Sequence, residues 1–345
     1  MNHRIFQKSV SALALATLAC GAFAAAPIGA RYATDAYPAF DKESDILETK
    51  RKEPGFFSWW SGPEMSTPAD QLALARRLEA EGDYGDARDE YDALVAEWPS
   101  SEEAPKAQEA LADMLYAKEK DYIDAFAEYK YLLDFYPSRC DYDAVAKRLY
   151  DAACAMHREG KTIVFFRFAN TVDVRRAFEG VVLRAPGASF APAALLKVAE
   201  LREDEGLPDK AISVYETLRN LHPYSDEAAE ALEKEARTRM KLLHAHEYNR
   251  VRCQDTIDFL SLAATSTKDP ALKANLEKWR MEAVSLVEDE AFASAKFYDS
   301  RTRTKRSAMN AYERFLAEYP ASSHADEARD RLRELQAELA GKGAK

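Results

Sequence analysis

Six histidines, four cysteines and 59 Asp and Glu side chains are the groups in this 345-residue chain with acid–base, nucleophilic or metal-binding chemistry. Their spacing assembles no site. The histidines are His3, His157, His222, His244, His246 and His324. The closest pair, His244 and His246, are i and i+2 and face different sides of a helix. No His-Glu-x-x-His, Gly-x-Ser-x-Gly or Cys-x-x-Cys occurs. Beyond Cys20, the cysteines are Cys140, Cys154 and Cys253, at spacings that fit no zinc ligand set. If one helix joins Cys140 and Cys154, fourteen residues at 1.5 Å part them by about 21 Å. A disulfide needs Cα atoms within ~7 Å, so all three read as packing thiols. Helical periodicity puts most carboxylates on solvated faces. The expectation is a non-enzymatic chain with no catalytic residue, no cofactor and no metal.

Composition narrows the class further. Lys and Arg number 48, giving a net charge of −11, which disfavours approach to phosphate and excludes nucleic acid as a first partner. Glycine is scarce, 12 residues in all, so Gly-rich phosphate loops and all-β folds are disfavoured. Apolar residues at 47% and charged residues at 31% fit neither a disordered tail nor a polytopic membrane protein.

Three stretches have binding chemistry instead. Gly55 to Gly62 carries Phe56, Phe57, Trp59 and Trp60, which suit a partner pocket or a lipid interface, or cap the apolar edge of the first helix pair. Lys161 to Asn170 carries Phe165, Phe166 and Phe168, either a binding insertion or a local plug. Arg301, Arg303, Lys305 and Arg306 form the densest basic run. They fit an acidic partner or lipid headgroups, or simply a solvated turn at a helix C-terminus. Lys50-Arg51-Lys52 would add attraction to anionic headgroups if the chain is anchored.

The elements that must position these groups are helical, and they repeat. One phrase recurs: Ala, an aromatic four residues on, an apolar residue three further, then Pro. It reads Ala87, Tyr91, Leu94, Pro99; Ala125, Tyr129, Leu132, Pro137; Ala211, Tyr215, Leu218, Pro223; and Ala308, Tyr312, Phe315, Pro320. Val174, Phe178, Val181, Pro186 is a looser copy. Positions i, i+4 and i+7 share one helical face, where the small residue admits a neighbouring helix and the aromatic fills the gap beside it. Proline then stops the helix. Ser100, Ser101, Ser189, Ser225, Ser322 and Ser323 follow as N-cap hydroxyls. Glu102, Glu103, Asp226, Glu227, Asp326 and Glu327 put carboxylates in the next first turn. Gly82 and Gly206 mark the turn inside a pair. Counting back 24 from Pro99 and Pro223 reaches Ala75 and Ala199, small residues of the partner helix. This is the tetratricopeptide (TPR) pattern.

The expected fold is all-α: a TPR-like solenoid of about five to six helix pairs with a polar capping helix from Ala325 to Leu339. Proline spacings of 38, 49, 37 and 97 place an insertion near residues 161–174 and a degenerate unit across 224–290. The layout reads as a signal peptide over 1–24, an extended tether over 25–66, the solenoid over 67–340 and a disordered tail over 341–345. His3, Arg4 and Lys8 precede an uncharged run, Ser9 to Ala26, the form of a secretory signal. Two exits stay open. Ala22-Phe23-Ala24 fits cleavage before Ala25. Thr17-Leu18-Ala19-Cys20 fits a lipobox with acylation of Cys20. Either exit removes Arg4 and Lys8.

With these residues in view, the chain resembles the BamD-type outer-membrane assembly lipoproteins of Gram-negative bacteria. The likeness runs through Pro68 to Pro99, with Gly82-Asp83-Tyr84-Gly85-Asp86-Ala87. It continues in Phe165-Phe166 with Arg176-Ala177-Phe178, and in Ala295-Lys296-Phe297-Tyr298 followed by Ala308 to Ser322. It implies a non-enzymatic protein-binding scaffold on the periplasmic side of the outer membrane. Its partners would be the barrel-assembly machinery or unfolded outer-membrane proteins, and its membrane anchor an acylated N-terminus. No nucleic acid or small-molecule substrate is implied. The alternative is a soluble periplasmic TPR adaptor of another envelope system, such as a Tol–Pal-type cell-division coordinator.

Overall fold

The computed structural model describes residues 37, 40, 49–52, 62–159, 170–245, 249–300 and 305–343. Among the described residues all regular structure is helical. Four pairs come first: α1 (Pro68–Glu81) with α2 (Tyr84–Glu97), α3 (Ala104–Met114) with α4 (Tyr122–Phe135), α5 (Tyr142–Glu159) with α6 (Thr171–Arg184), and α7 (Ala191–Asp204) with α8 (Pro208–Leu221). Three more helices follow, α9 (Asp226–Ala245), α10 (Arg250–Ser266) and α11 (Pro270–Asp299). The last are α12 (Lys305–Glu318) and α13 (Ala325–Gly343). Each helix packs on its neighbour in sequence, which makes a solenoid of six pairs with α13 as its final helix. The 30 residues of α11 span about 45 Å. Its first part packs on α10 and its last part on α12, so one helix serves two units.

The recurring phrase is the core of the second helix in each pair. All twelve Ala, aromatic and apolar positions of its four tight copies are at most 2% exposed. Ala75 and Ala199 on the facing helices are fully buried. Proline then sets the corner. The residue before it leaves the α region, as Trp98, Tyr136, Ala185 and His222 all do, with φ between −122° and −132° and ψ between 38° and 58°. Its N–H still bonds the carbonyl four residues back. Its own carbonyl then accepts the N–H three residues on, in Ser101, Arg139, Ala188, Ser225 and Ser322. Five corners, the looser copy included, thus share one turn.

A second repeated bond was not legible in the sequence. Each aromatic that is a tyrosine donates its hydroxyl to a carboxylate on the first helix of its pair: Tyr91 to Glu79 at 2.7 Å, Tyr129 to Asp113 at 2.6 Å, Tyr215 to Glu203 at 2.7 Å, and Tyr312 to Asp299 at 3.4 Å. The ring fills the interface while its polar tip is satisfied at the edge.

The capping pattern departs from expectation in places. Ser101 and Ser225 hydroxyls accept from Ala104 and Ala228, both at 3.2 Å, and Ser322 accepts from the His324 N–H at 3.3 Å. Ser189 does not cap: the Ala188 carbonyl takes the Ala191 N–H instead. Glu102 and Glu103 lie just before α3 rather than in its first turn, because Pro105 opens that helix. Asp226, Glu227, Asp326 and Glu327 do occupy first turns. The capping helix α13 continues to Gly343, into the stretch read as tail.

Gly82 and Gly206 end α1 and α7 with φ of 92° and 73°, where a side chain is strained. In the second pair a π-turn, Leu115–Glu119, lengthens the first helix, and Lys120 takes the left-handed position at φ 57°. Lys120→Gly should therefore raise stability by about 1 kcal/mol, read as a higher urea midpoint at unchanged m. A lower midpoint would show that the lysine side chain contributes more than its backbone strain removes.

Candidate functional site

In the region read as an extended tether, Tyr37, Phe40, Thr49, Arg51 and Lys52 contact the helices. Tyr37 and Phe40 stack at 4.8 Å and belong to the main core cluster, 4% and 6% exposed. Further on, residues 49–52 lie as non-helical backbone on the second helices of the first two pairs. The receiving surface follows from helical period. On α4, Asp124, Glu128, Tyr131 and Phe135 recur at i, i+4, i+7 and i+11, a single stripe. On α2, Arg88 and Asp92 are i and i+4, and Arg88 pairs with Asp124 at 2.7 Å.

Lys52 fills the middle of this surface. Its Nζ bonds Asp92 and Glu128, the latter at 2.6 Å, and sits 5.4 Å from the centre of the Tyr131 ring. Its backbone N–H donates to the Tyr131 hydroxyl at 3.3 Å. Burial alone would lower its pKa, but Glu128 and Asp92 outweigh that and hold the ammonium above its ordinary value. The Arg51 guanidinium lies 5.0 Å from the Phe135 ring centre. The Thr49 hydroxyl donates to Asp134. The lengths agree: three extended residues span about 10 Å, and Asp134 to Glu128 is about 9 Å of helix. The segment therefore runs antiparallel to α4.

Beneath it lies a chain of buried charge. Asp134 on α4 receives Arg184 of α6 in a two-pronged pair, Nε to Oδ1 at 2.9 Å and Nη2 to Oδ2 at 2.7 Å, with both side chains fully buried. Arg175 and Glu179 of α6 meet Arg202 and Glu205 of the α7 end, with Glu179 bonded to Arg175 at 2.7 Å and Arg202 at 3.1 Å. Phe178, the one aromatic of the five without a hydroxyl, stands in this third unit. Further along, Arg219 and Arg239 flank the Phe259 ring at 5.4 and 4.5 Å and both bond the buried Glu235. Burial still pushes the Glu235 carboxyl up.

At the far end, Asp299 is gripped by Arg331 of α13 at 2.6 and 2.9 Å. That hydrogen bonding holds the Asp299 carboxyl below its ordinary value of 3.8. A carboxyl depressed on folding adds stability above its unfolded value and loses it as pH falls through the folded one. Hydrogen-exchange protection of α13 should thus decay below about pH 4, and Arg331→Met should move that decay upward in pH. An unchanged acid midpoint in the variant would show that the pair does not hold α13.

The residues singled out from sequence fare unevenly. Cys20, Phe56, Phe57, Trp59, Trp60, Phe165, Phe166, Phe168, Arg301 and Arg303 lie outside the described residues. Lys305 pairs with Glu338 across α12 and α13, and Arg306 is exposed. Of Lys50-Arg51-Lys52, Lys52 is paired with two carboxylates, while Lys50 and Arg51 are exposed. Cys140, Cys154 and Cys253 are free, the first two half-buried against the core and the third buried. Among the described residues no group of three His, Cys, Asp or Glu could hold a metal, and no helix is long and apolar enough to cross a membrane.

Sequence reasoning missed Thr49, Asp92, Glu128, Tyr131, Asp134 and Arg184. A signal existed for two of them. Asp134 and Arg184 are lone charges of opposite sign in the runs Leu132-Leu133-Asp134-Phe135 and Val181-Val182-Leu183-Arg184. Each sits at the end of the second helix of successive units, where the solenoid brings like positions together.

No protein-family model matches the sequence. No curated protein matches it. Matches among solved structures include a tetratricopeptide repeat protein from Parabacteroides merdae, 11% identical, covering 78% of this chain and 98% of that one at a TM-score of 0.28. Another is a putative kinesin light chain of Podosopora anserina with TPR-like repeats, 15% identical, covering 62% and 100%, TM-score 0.28. A third is a MamA RS-1 double mutant, 12% identical, covering 59% and 99%, TM-score 0.28. At such values the assignment rests on this chain's own helix pairs, buried phrases and shared corners. It is a TPR-like solenoid.

Proposed function

We propose that this protein is a non-enzymatic protein-binding scaffold of the bacterial cell envelope, a BamD-like component of outer-membrane protein assembly. The observation that carries the binding role is the extended segment 49–52, held on the solenoid through Lys52, Arg51 and Thr49. A surface that receives backbone and basic side chains of this chain offers the same groups to another chain. The envelope assignment is supported by the signal-like start, the TPR phrase and the stretches that resemble the BamD type. The N-terminus would emerge acylated at Cys20, as a membrane anchor, or free at Ala25.

Two measurements test this. Mass spectrometry of the mature protein should show acyl-Cys20 or Ala25 as its first residue; an unprocessed Met1 would remove the export reading. Affinity purification from solubilised membranes should recover barrel-assembly proteins. Recovery of division or Pal-like proteins in their place would move the protein to the adaptor class.

A further inference from the structure

We propose that the face formed by α2 and α4 is a binding site for an extended basic segment of a partner protein, with a hydroxyl residue three places before a lysine, and that residues 49–52 are its resident intramolecular occupant. The inference rests on the binding role proposed above, but not on the envelope assignment.

The partner chemistry follows from what the site presents. Asp92 and Glu128 converge on one ammonium, with the Tyr131 ring beneath it. Phe135 offers its face to a guanidinium, and the Tyr131 hydroxyl accepts a backbone N–H. Asp134 accepts a hydroxyl about 9 Å along α4 from Glu128. Cations, one hydroxyl and an extended backbone at this spacing are the ligand, and an acidic or helical segment meets none of these groups.

The resident segment is built to leave. Its residues Thr49, Lys50, Arg51 and Lys52 are all polar, so it buries no apolar side chain in the core. Lys50 and Arg51 stay exposed. The fixed attachment lies upstream, where Tyr37 and Phe40 are buried in the core cluster. Release of 49–52 would cost only polar and cation–ring contacts, which water and a competing basic segment replace. Beneath the site, Asp134 keeps its two-pronged Arg184 pair and Glu128 its bonds from Gln108, so an emptied site retains its shape. Attachment at Tyr37 and Phe40 gives the resident a high effective concentration, which sets a threshold a partner must exceed.

The test uses the full chain and a fluorescein-labelled peptide of residues 46–55, followed by polarisation in low salt. Lys52→Gln and Thr49→Ala/Lys52→Gln empty the site in cis. The peptide should bind these variants at least tenfold more tightly than it binds wild type. Adding Asp92→Asn/Glu128→Gln should weaken that binding at least tenfold, as should replacing the peptide's position-52 lysine by glutamate. Thermal melts by circular dichroism accompany each protein. If the double variant does not fold, the Lys52→Gln protein carries the comparison. Equal peptide affinity for wild type and emptied chains, or affinity indifferent to Asp92 and Glu128, would overturn the proposal and leave 49–52 as a structural brace. Failure of the membrane purification above would leave this result standing.

Discussion

Glu179→Ala should destabilise the solenoid by about 3–5 kcal/mol, among the largest effects of any single substitution in this chain. Glu179 is fully buried and bonds two guanidiniums, Arg175 at 2.7 Å and Arg202 at 3.1 Å, which are themselves 2% and 1% exposed. Removing it takes away the carboxylate between those two cations, leaves Glu205, itself about nine-tenths buried, bonded to both, and opens a cavity between α6 and α7. Two like charges then face each other where water cannot screen them. The same reasoning predicts an asymmetry. Replacing the cluster together, Arg175→Met with Glu179→Leu and Arg202→Met, should recover most of the loss, because an apolar core needs no desolvation of charge. Urea unfolding followed by circular dichroism measures both. A Glu179→Ala midpoint within error of wild type would mean that water enters the cluster and solvates it. Because units of a solenoid couple mainly to neighbours, loss of exchange protection should concentrate in α5 to α8.

The sequence displayed the fold unevenly, and the unevenness has a physical cause. The Ala, aromatic and Pro positions repeat because they meet the same neighbour in every unit, so their period survives in one dimension. That made the helix pairs, the corners at Pro99, Pro137, Pro223 and Pro320, and the glycine turns at Gly82 and Gly206 legible. Even Pro186 could be placed, since the corner depends on the proline and not on the aromatic before it. Polar contacts do not repeat in this way. The tyrosine hydroxyls find Glu79, Asp113, Glu203 and Asp299 at separations of 12, 16, 12 and 13 residues, and the π-turn that follows α3 is one reason the period breaks. Charge pairs are worse still. Arg184 and Asp134 are 50 residues apart, and Lys52 and Glu128 are 76 apart, so no local window contains both partners. The docked segment was hidden for the same reason. Pro38, Pro54 and Gly55 break any helical period, which identifies the stretch as extended but carries no information about which helices receive it.

Asp134→Ala should lower stability by about 3–5 kcal/mol and also weaken retention of the N-terminal segment, because one carboxylate serves both. Asp134 pairs with Arg184 in the interior and also accepts the Thr49 hydroxyl of the docked segment. The two consequences separate by choice of variant. Arg184→Leu leaves Asp134 buried without its guanidinium, and should cost as much stability by raising the energy of an ionised carboxylate in an apolar site. Thr49→Val keeps the buried pair intact and removes only the hydroxyl bond from the docked segment. It should change the unfolding midpoint by no more than about 1 kcal/mol, yet still increase exchange of the Lys52 amide, whose N–H rests on Tyr131. Asp134→Leu/Arg184→Leu completes the set. The paired apolar replacement should restore the midpoint toward wild type while the Lys52 amide stays fast-exchanging. If instead the double variant also restored protection at Lys52, the Asp134–Thr49 contact would play no part in holding the segment, and its retention would fall to Asp92, Glu128 and Tyr131 alone.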